Sequence, residues 1–171
     1  FNPKLITPTG LVSDVPRMAK TYNDAVRKMN VSIGSVIAAY SGLSSNNLID
    51  LPTGIRGKHI EAAIRQKVRQ ISTGSYLDAS YLFWAQAHPS SADSQRNYFY
   101  TQAVPKSILN SFMDALIQAS LRPRLVDYKY LALARAVGEP QAVVLHVEFP
   151  QMEIVTLNDS IPKVKSVQLE K

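Results

Sequence analysis

Two spacings of apolar residues divide the chain into elements. Met18, Ala19, Tyr22, Ala25, Val26 and Met29 recur at helical intervals, which predicts a helix from Asp14 to about Asn30 with one buried face. Asp14 supplies a cap, and Pro16 sits in the first turn, where its missing N–H is not needed. Residues 31–40 are apolar and β-branched and predict a buried strand; the polar cluster 41–47 predicts a turn. Residues 48–51 predict a short strand ended by Pro52. A helix is predicted over 57–70, with Ile60, Ile64, Val68 and Ile71 on one face.

Residues 76–88 and 97–104 are aromatic-rich and predict the two strands of a hairpin, with 89–95 as its polar loop. Pro105 starts a helix to Ser120 whose inward positions are Ile108, Leu109, Phe112, Leu116 and Ala119. A short strand at 123–127 and a short helix at 128–137 follow, the helix stopped by Gly138 and Pro140. Residues 142–147, 152–157 and 164–169 predict three successive strands joined by tight turns. Strands and helices mix without strict alternation, so the fold class is mixed α/β, of the α+β kind.

Composition narrows the classes. With 46% hydrophobic residues among 171, the chain can build one compact unit or two small lobes with a real core. No apolar run approaches the roughly 20 residues that cross a bilayer as a helix. Phe1-Asn2-Pro3-Lys4 predicts no signal peptide, and the missing initiator Met is what a piece of a longer protein would show. The absence of cysteine excludes disulfides, thiolate catalysis and cysteine metal sites, and fits a reducing compartment. A net charge of +6 favours an acidic partner, an anionic membrane surface or nucleic acid.

Several segments, in order, carry a family likeness. Gly10-Leu11-Val12-Ser13-Asp14 fits a G-x-I-x-D pattern before a helix. Leu48-Ile49-Asp50-Leu51-Pro52 fits r-x-I-x-L-P, and Ala103-Val104-Pro105-Lys106 fits a-x-x-K. Ala119-Ser120-Leu121-Arg122-Pro123-Arg124-Leu125-Val126-Asp127, followed by Leu131-Ala132-Leu133-Ala134-Arg135-Ala136, fits a-G-L-x-P-x-x-v-D … a-L-x-R-A. In these the chain resembles PilM, the actin-like protein of type IV pilus assembly, and more distantly the cell-division protein FtsA. The resemblance implies an incomplete actin-like lobe formed by 1–43 and 127–171, with an inserted strand–helix–hairpin–helix domain at 44–126. It also implies a non-catalytic protein-binding scaffold, peripheral at the cytoplasmic face of the inner membrane. The implied partner is the short cytoplasmic tail of an inner-membrane pilus protein (PilN-like), bound in the cleft between lobe and insertion. By resemblance the partner-binding residues are Arg122, Arg124 and Asp127, near the first helix.

The family holds nucleotide phosphates between Gly-rich hairpins, one reading D-x-G-x-x-x-T; glycine lets backbone N–H groups approach phosphate. The matching strand here is Leu145-His146-Val147-Glu148-Phe149-Pro150. His146 takes the Asp position, Glu148 takes the Gly position with an unwanted negative charge, and Pro150 removes a donor. The phosphate motif is therefore degenerate, and no cofactor is expected.

Other candidates have plainer readings. Gly54-Ile55-Arg56-Gly57-Lys58 lacks the spacing of a nucleotide phosphate loop, but it matches the G-x-x-G clamp of a KH module, which makes a nucleic-acid-binding module the rival function. A KH clamp needs a helix before the loop, whereas here a predicted strand and Pro52 precede it, so a flexible turn is the simpler reading and no nucleic-acid partner is expected. Arg56, Lys58, Arg65, Lys67 and Arg69 make the following helix basic: either a solvated face or a contact for anionic lipid, with Arg56, Lys58, Arg65 and Arg69 as the candidate residues. His59, His88 and His146 are scattered, without metal-ligand spacing. No carboxylate pair or G-x-S-x-G elbow suggests an enzyme. Tyr76, Tyr81, Phe83 and Trp84, opposite Tyr98, Phe99 and Tyr100, read as cross-strand packing, with an RNA-stacking platform as the sharper alternative.

Overall fold

In chain order the elements are α1 (Val15–Lys28), β1 (Ser35–Tyr40), β2 (Ser45–Pro52), α2 (His59–Ile71), β3 (Ser80–Ala87), β4 (Arg96–Pro105), α3 (Lys106–Gln118), β5 (Arg122–Tyr128), α4 (Lys129–Val137), β6 (Gln141–Glu148), β7 (Gln151–Asn158) and β8 (Ile161–Gln168). They come from a computed structural model that describes residues 5–30, 35–71, 77–89, 92–148, 151–159 and 161–168. The strands form three sheets, ordered β1-β5, β2-β4-β3 and β6-β7-β8. The mixed α+β class expected from the sequence is the class observed. The chain groups into two compact units, described separately below.

The first unit comprises the described residues within Phe1–Ser45, Ser75–Tyr81 and Ala103–Asp127. Asp14 caps α1 as predicted, its Oδ1 accepting from the Arg17 N–H at 3.0 Å. Arg27 and Lys28 in the last turn suit the negative end of the helix dipole. Met18 and Ala19 are buried, and α1 packs on α3 through small residues, with Ala19, Ala115 and Ala119 at most 4% exposed. Around them Leu116 and Leu121 complete a core against which Tyr22, Val26, Val36, Ala38, Phe112 and Met113 pack. Ala25 and Met29 do not join it, contrary to the expectation from spacing. Met29 is the C-cap residue and 65% exposed, because the chain has already left the packed stripe there.

Strand β1 corrects a second expectation. It is not buried throughout but one-sided, with Val36 and Ala38 packed inward and Ile37 76% exposed; successive strand side chains face opposite ways. Residues 31–34 of the predicted strand lie outside the described residues. Beyond β1 the backbone passes so close to the N-terminal segment that a Cβ on Gly10 (φ +89°) would stand 2.5 Å from the Gly42 Cα. Glycine at both positions permits that approach.

The second unit comprises the described residues within Asn46–Gly74, Leu82–Gln102 and Tyr128–Lys171. Strand β2 begins earlier than predicted: Asn46 and Asn47 are polar, yet they are strand residues. Tertiary partners engage both residues: Asn46 Nδ2 donates to the Tyr128 hydroxyl and Thr101 Oγ1 to the Asn47 carbonyl, each at 3.1 Å. β4 lies at the centre of its sheet and is buried without a break from Phe99 to Val104. Helix α2 buries Ile64 and Val68 fully, while Ile71 at its end is half exposed, so the predicted stripe is one residue too long. Helix α4 ends at Gly138, whose left-handed φ of +72° makes it the predicted stop. It packs against β8 of the predicted meander, whose antiparallel register pairs His146 with Glu153 and Ile154 with Lys165.

Candidate partner-binding site

Helix α3 delivers the chain into β5 by a tight reversal. Ser120 takes a left-handed φ of +58°, and Leu121 N–H donates to the Leu116 carbonyl at 3.0 Å. This is a Schellman-type end, which satisfies a terminal carbonyl and needs a left-handed residue. Leu121 is then buried, and β5 starts at Arg122. Arg122 and Arg124 are both exposed; Asp127 is half-buried and engaged by a further interaction. Of the residues in this first unit, Ile37 on β1 and Leu125 on β5 also stand out, 76% and 52% exposed. Among the described residues β1 and β5 pair only with one another, so each leaves one edge open. Two guanidinium groups, two exposed aliphatic side chains and open strand edges thus share one small sheet. On the same unit α1 contributes a shallow groove of about 330 Å³, lined by Ala19, Lys20, Asn23, Asp24, Arg27 and Gln118. Arg122 and Arg124 do not line that groove.

The strand compared above with the phosphate motif is β6, and it carries part of an ionic cluster. His146 faces its cross-strand partner Glu153, with Nδ1 3.2 Å from Oε2, although not aligned for a hydrogen bond. Lys129 Nζ donates to the same carboxylate at 2.7 Å, and the Tyr130 hydroxyl donates to the other oxygen. Burial alone would raise the Glu153 carboxyl. The hydrogen bonds from Lys129 and Tyr130, the charge of Lys129 and the nearby His146 outweigh it, so its pKa lies below the usual glutamate value. Position 146 therefore faces a carboxylate already engaged by Lys129 and Tyr130. Glu148 is the last residue of β6, opposite Gln151, and Pro150 lies outside the described residues. Sequence reasoning missed the cluster of Lys129, Tyr130, His146 and Glu153, because it forms only where the start of α4 meets the β6–β7 pair.

The G-x-x-G segment lies between β2 and α2, so a strand precedes it, unlike a KH clamp. Arg56, Lys58, Arg65 and Arg69 are all exposed. On β3, Tyr81, Phe83 and Trp84 are 38–48% exposed. Trp84 meets the buried Phe99 edge-on at 5.7 Å, which is the cross-strand packing expected. Tyr76 lies outside the described residues. Among the described residues, no group of three His, Asp or Glu is placed to hold a metal, and no helix is long and apolar enough to cross a membrane.

The fold places the chain in a known structural class. It is similar over 99% of its length to a chain of the PilM–PilN type IV pilus biogenesis complex, with a TM-score of 0.78 and 22% identity. It is also similar, over 90% of its length, to the cytoplasmic domain of EpsL, an inner membrane component of the type II secretion system of Vibrio cholerae, with a TM-score of 0.59 and 11% identity. The chain spans about half the length of these structures, 53% and 55% respectively. No protein-family model and no curated protein matches the sequence.

Proposed function

We propose that this chain is part of a non-catalytic scaffold of type IV pilus assembly that binds the cytoplasmic tail of a PilN-like inner-membrane protein. In this reading it works at the cytoplasmic face of the inner membrane, as a peripheral component. Residues 1–43 and 127–171 then belong to an incomplete actin-like lobe, and 44–126 to its insertion. The observation that carries the reading is a fold shared over nearly the whole chain with a chain of a PilM–PilN complex. The sheet of β1 and β5 adds a physical reason. An extended tail can add to an open strand edge through main-chain hydrogen bonds, while side-chain contacts set specificity. Arg122 and Arg124 can hold carboxylates or carbonyls of that tail, and Ile37 and Leu125 can cover its apolar positions.

Pull-down of the tail of a PilN-like protein encoded beside this gene tests the reading. The Arg122→Ala/Arg124→Ala double variant should lower recovery by about tenfold or more, since a few anchor contacts dominate such interfaces. Arg124→Lys should also weaken recovery, because lysine cannot make the bidentate bond. Equal recovery by wild type and double variant, at unchanged melting temperature, would remove 122–127 from the binding site.

A further inference from the structure

The sheet of β6, β7 and β8 has one covered face and one bare face. Glu153 on β7 meets Lys129 and Tyr130 of α4, and Val155 and Leu157, on the same side of β7, are buried. Strand side chains alternate, so the residues between them point the other way. On that other face the antiparallel register sets Val143 beside Thr156, Leu145 beside Ile154 and Val147 beside Met152. Val143, Leu145 and Val147 are 61–67% exposed. An antiparallel sheet that only faces water carries polar residues on its outer side. Strand β6 instead presents an unbroken aliphatic row, continued by the half-buried Met152 and Ile154. Contiguous apolar patches of this kind mark contact surfaces.

The charges of this face choose its occupant. Strand β8 adds Lys163 beside Thr156 and Lys165 beside Ile154; both are exposed, and neither has an ion pair among the described residues. No Asp or Glu stands on this side of the three strands. An isologous contact repeats the same patch on both sides, so a second copy would supply lysines but no carboxylate to meet them. A bilayer interface is anchored by Trp and Tyr, and this side has no aromatic residue. A strand added to the edge of β6 would pair its backbone and leave the aliphatic row bare. A helix with an apolar stripe and carboxylates along one flank suits both the row and the lysines. The row spans about 14 Å, the length of about two and a half helical turns.

We propose that this face docks an acidic amphipathic helix of a partner protein, its apolar stripe on Val143, Leu145 and Val147 and its carboxylates at Lys163 and Lys165. It uses other strands than those assigned to the tail, so either reading can fail alone. The test uses two synthetic alanine-rich peptides of about 18 residues, long enough to hold a helix. Both carry the same leucine stripe; one has glutamates along its flank and the other lysines. Fluorescence anisotropy with the purified chain should show the glutamate peptide binding more tightly, by about tenfold or more at low salt. Val143→Thr/Leu145→Thr/Val147→Thr should weaken that binding by about tenfold or more. Threonine keeps the strand propensity, and circular dichroism checks the fold. Lys163→Glu/Lys165→Glu should reverse the preference toward the lysine peptide, which a misfolded variant would not do. No binding of the glutamate peptide, equal binding of both peptides, or no loss in the threonine variant would overturn the proposal. So would dimers of the chain, or its flotation on phosphatidylglycerol vesicles, that the threonine variant abolishes.

Discussion

Ser120 occupies a backbone region that normally belongs to glycine. Its φ of +58° is set by the reversal between α3 and β5, and the family pattern a-G-L places glycine there. A left-handed conformation costs an L-residue about 1–2 kcal/mol, and the extra freedom of glycine in the unfolded chain offsets roughly half of that. Ser120→Gly should therefore stabilise the protein by about 0.5–1 kcal/mol, raising the Tm by about 2 °C. A lower Tm in a thermal melt would mean that the serine side chain supports the turn. At this scale the sequence was partly legible. Asp14 as a cap and Gly138 as a stop are local features, readable from neighbouring residues. The exposure of Met29 and Ile71 was not, because each continues its stripe in spacing yet lies at the very end of its helix.

At the scale of elements, α4 and the β6–β7 hairpin are joined through Glu153. Its lowered pKa has a consequence of definite sign. A carboxylate bound more tightly in the folded state contributes stability that is fully present above the ordinary value of about 4.3 and is lost as pH falls through the folded value. Glu153→Gln should thus cost about 1–3 kcal/mol near neutral pH, as it leaves Lys129 without its charged partner. The gap from wild type should narrow below about pH 4 as the wild-type carboxyl protonates. Denaturant titrations across pH measure this; a constant gap would show that the ion pairs add nothing. The helices and the meander were readable because period and turn residues agree. The start of β2 was not, since Asn46 and Asn47 resemble a turn until Tyr128 and Thr101 supply their partners. The Glu153 cluster was equally hidden, because residues 129 and 146 reach the same carboxylate only in the folded chain.

For the whole molecule, the fold aligns with a chain of the PilM–PilN complex, and β5 at Arg122–Tyr128 covers the strand predicted at 123–127. What sequence could not supply was the exposure of Ile37 and Leu125, or that among the described residues β1 and β5 pair only with one another, beside the two arginines. These give the sheet a surface that is cationic and partly aliphatic. The central claim is that a PilN-like tail binds there. Hydrogen–deuterium exchange of the purified chain, with and without the synthetic tail peptide, tests it most directly. Slower exchange confined to peptides covering β1 and β5 is the result predicted, because an added strand protects the amides it pairs with. Unchanged exchange at saturating peptide, or protection confined to α2 or the β6–β8 sheet, would contradict it.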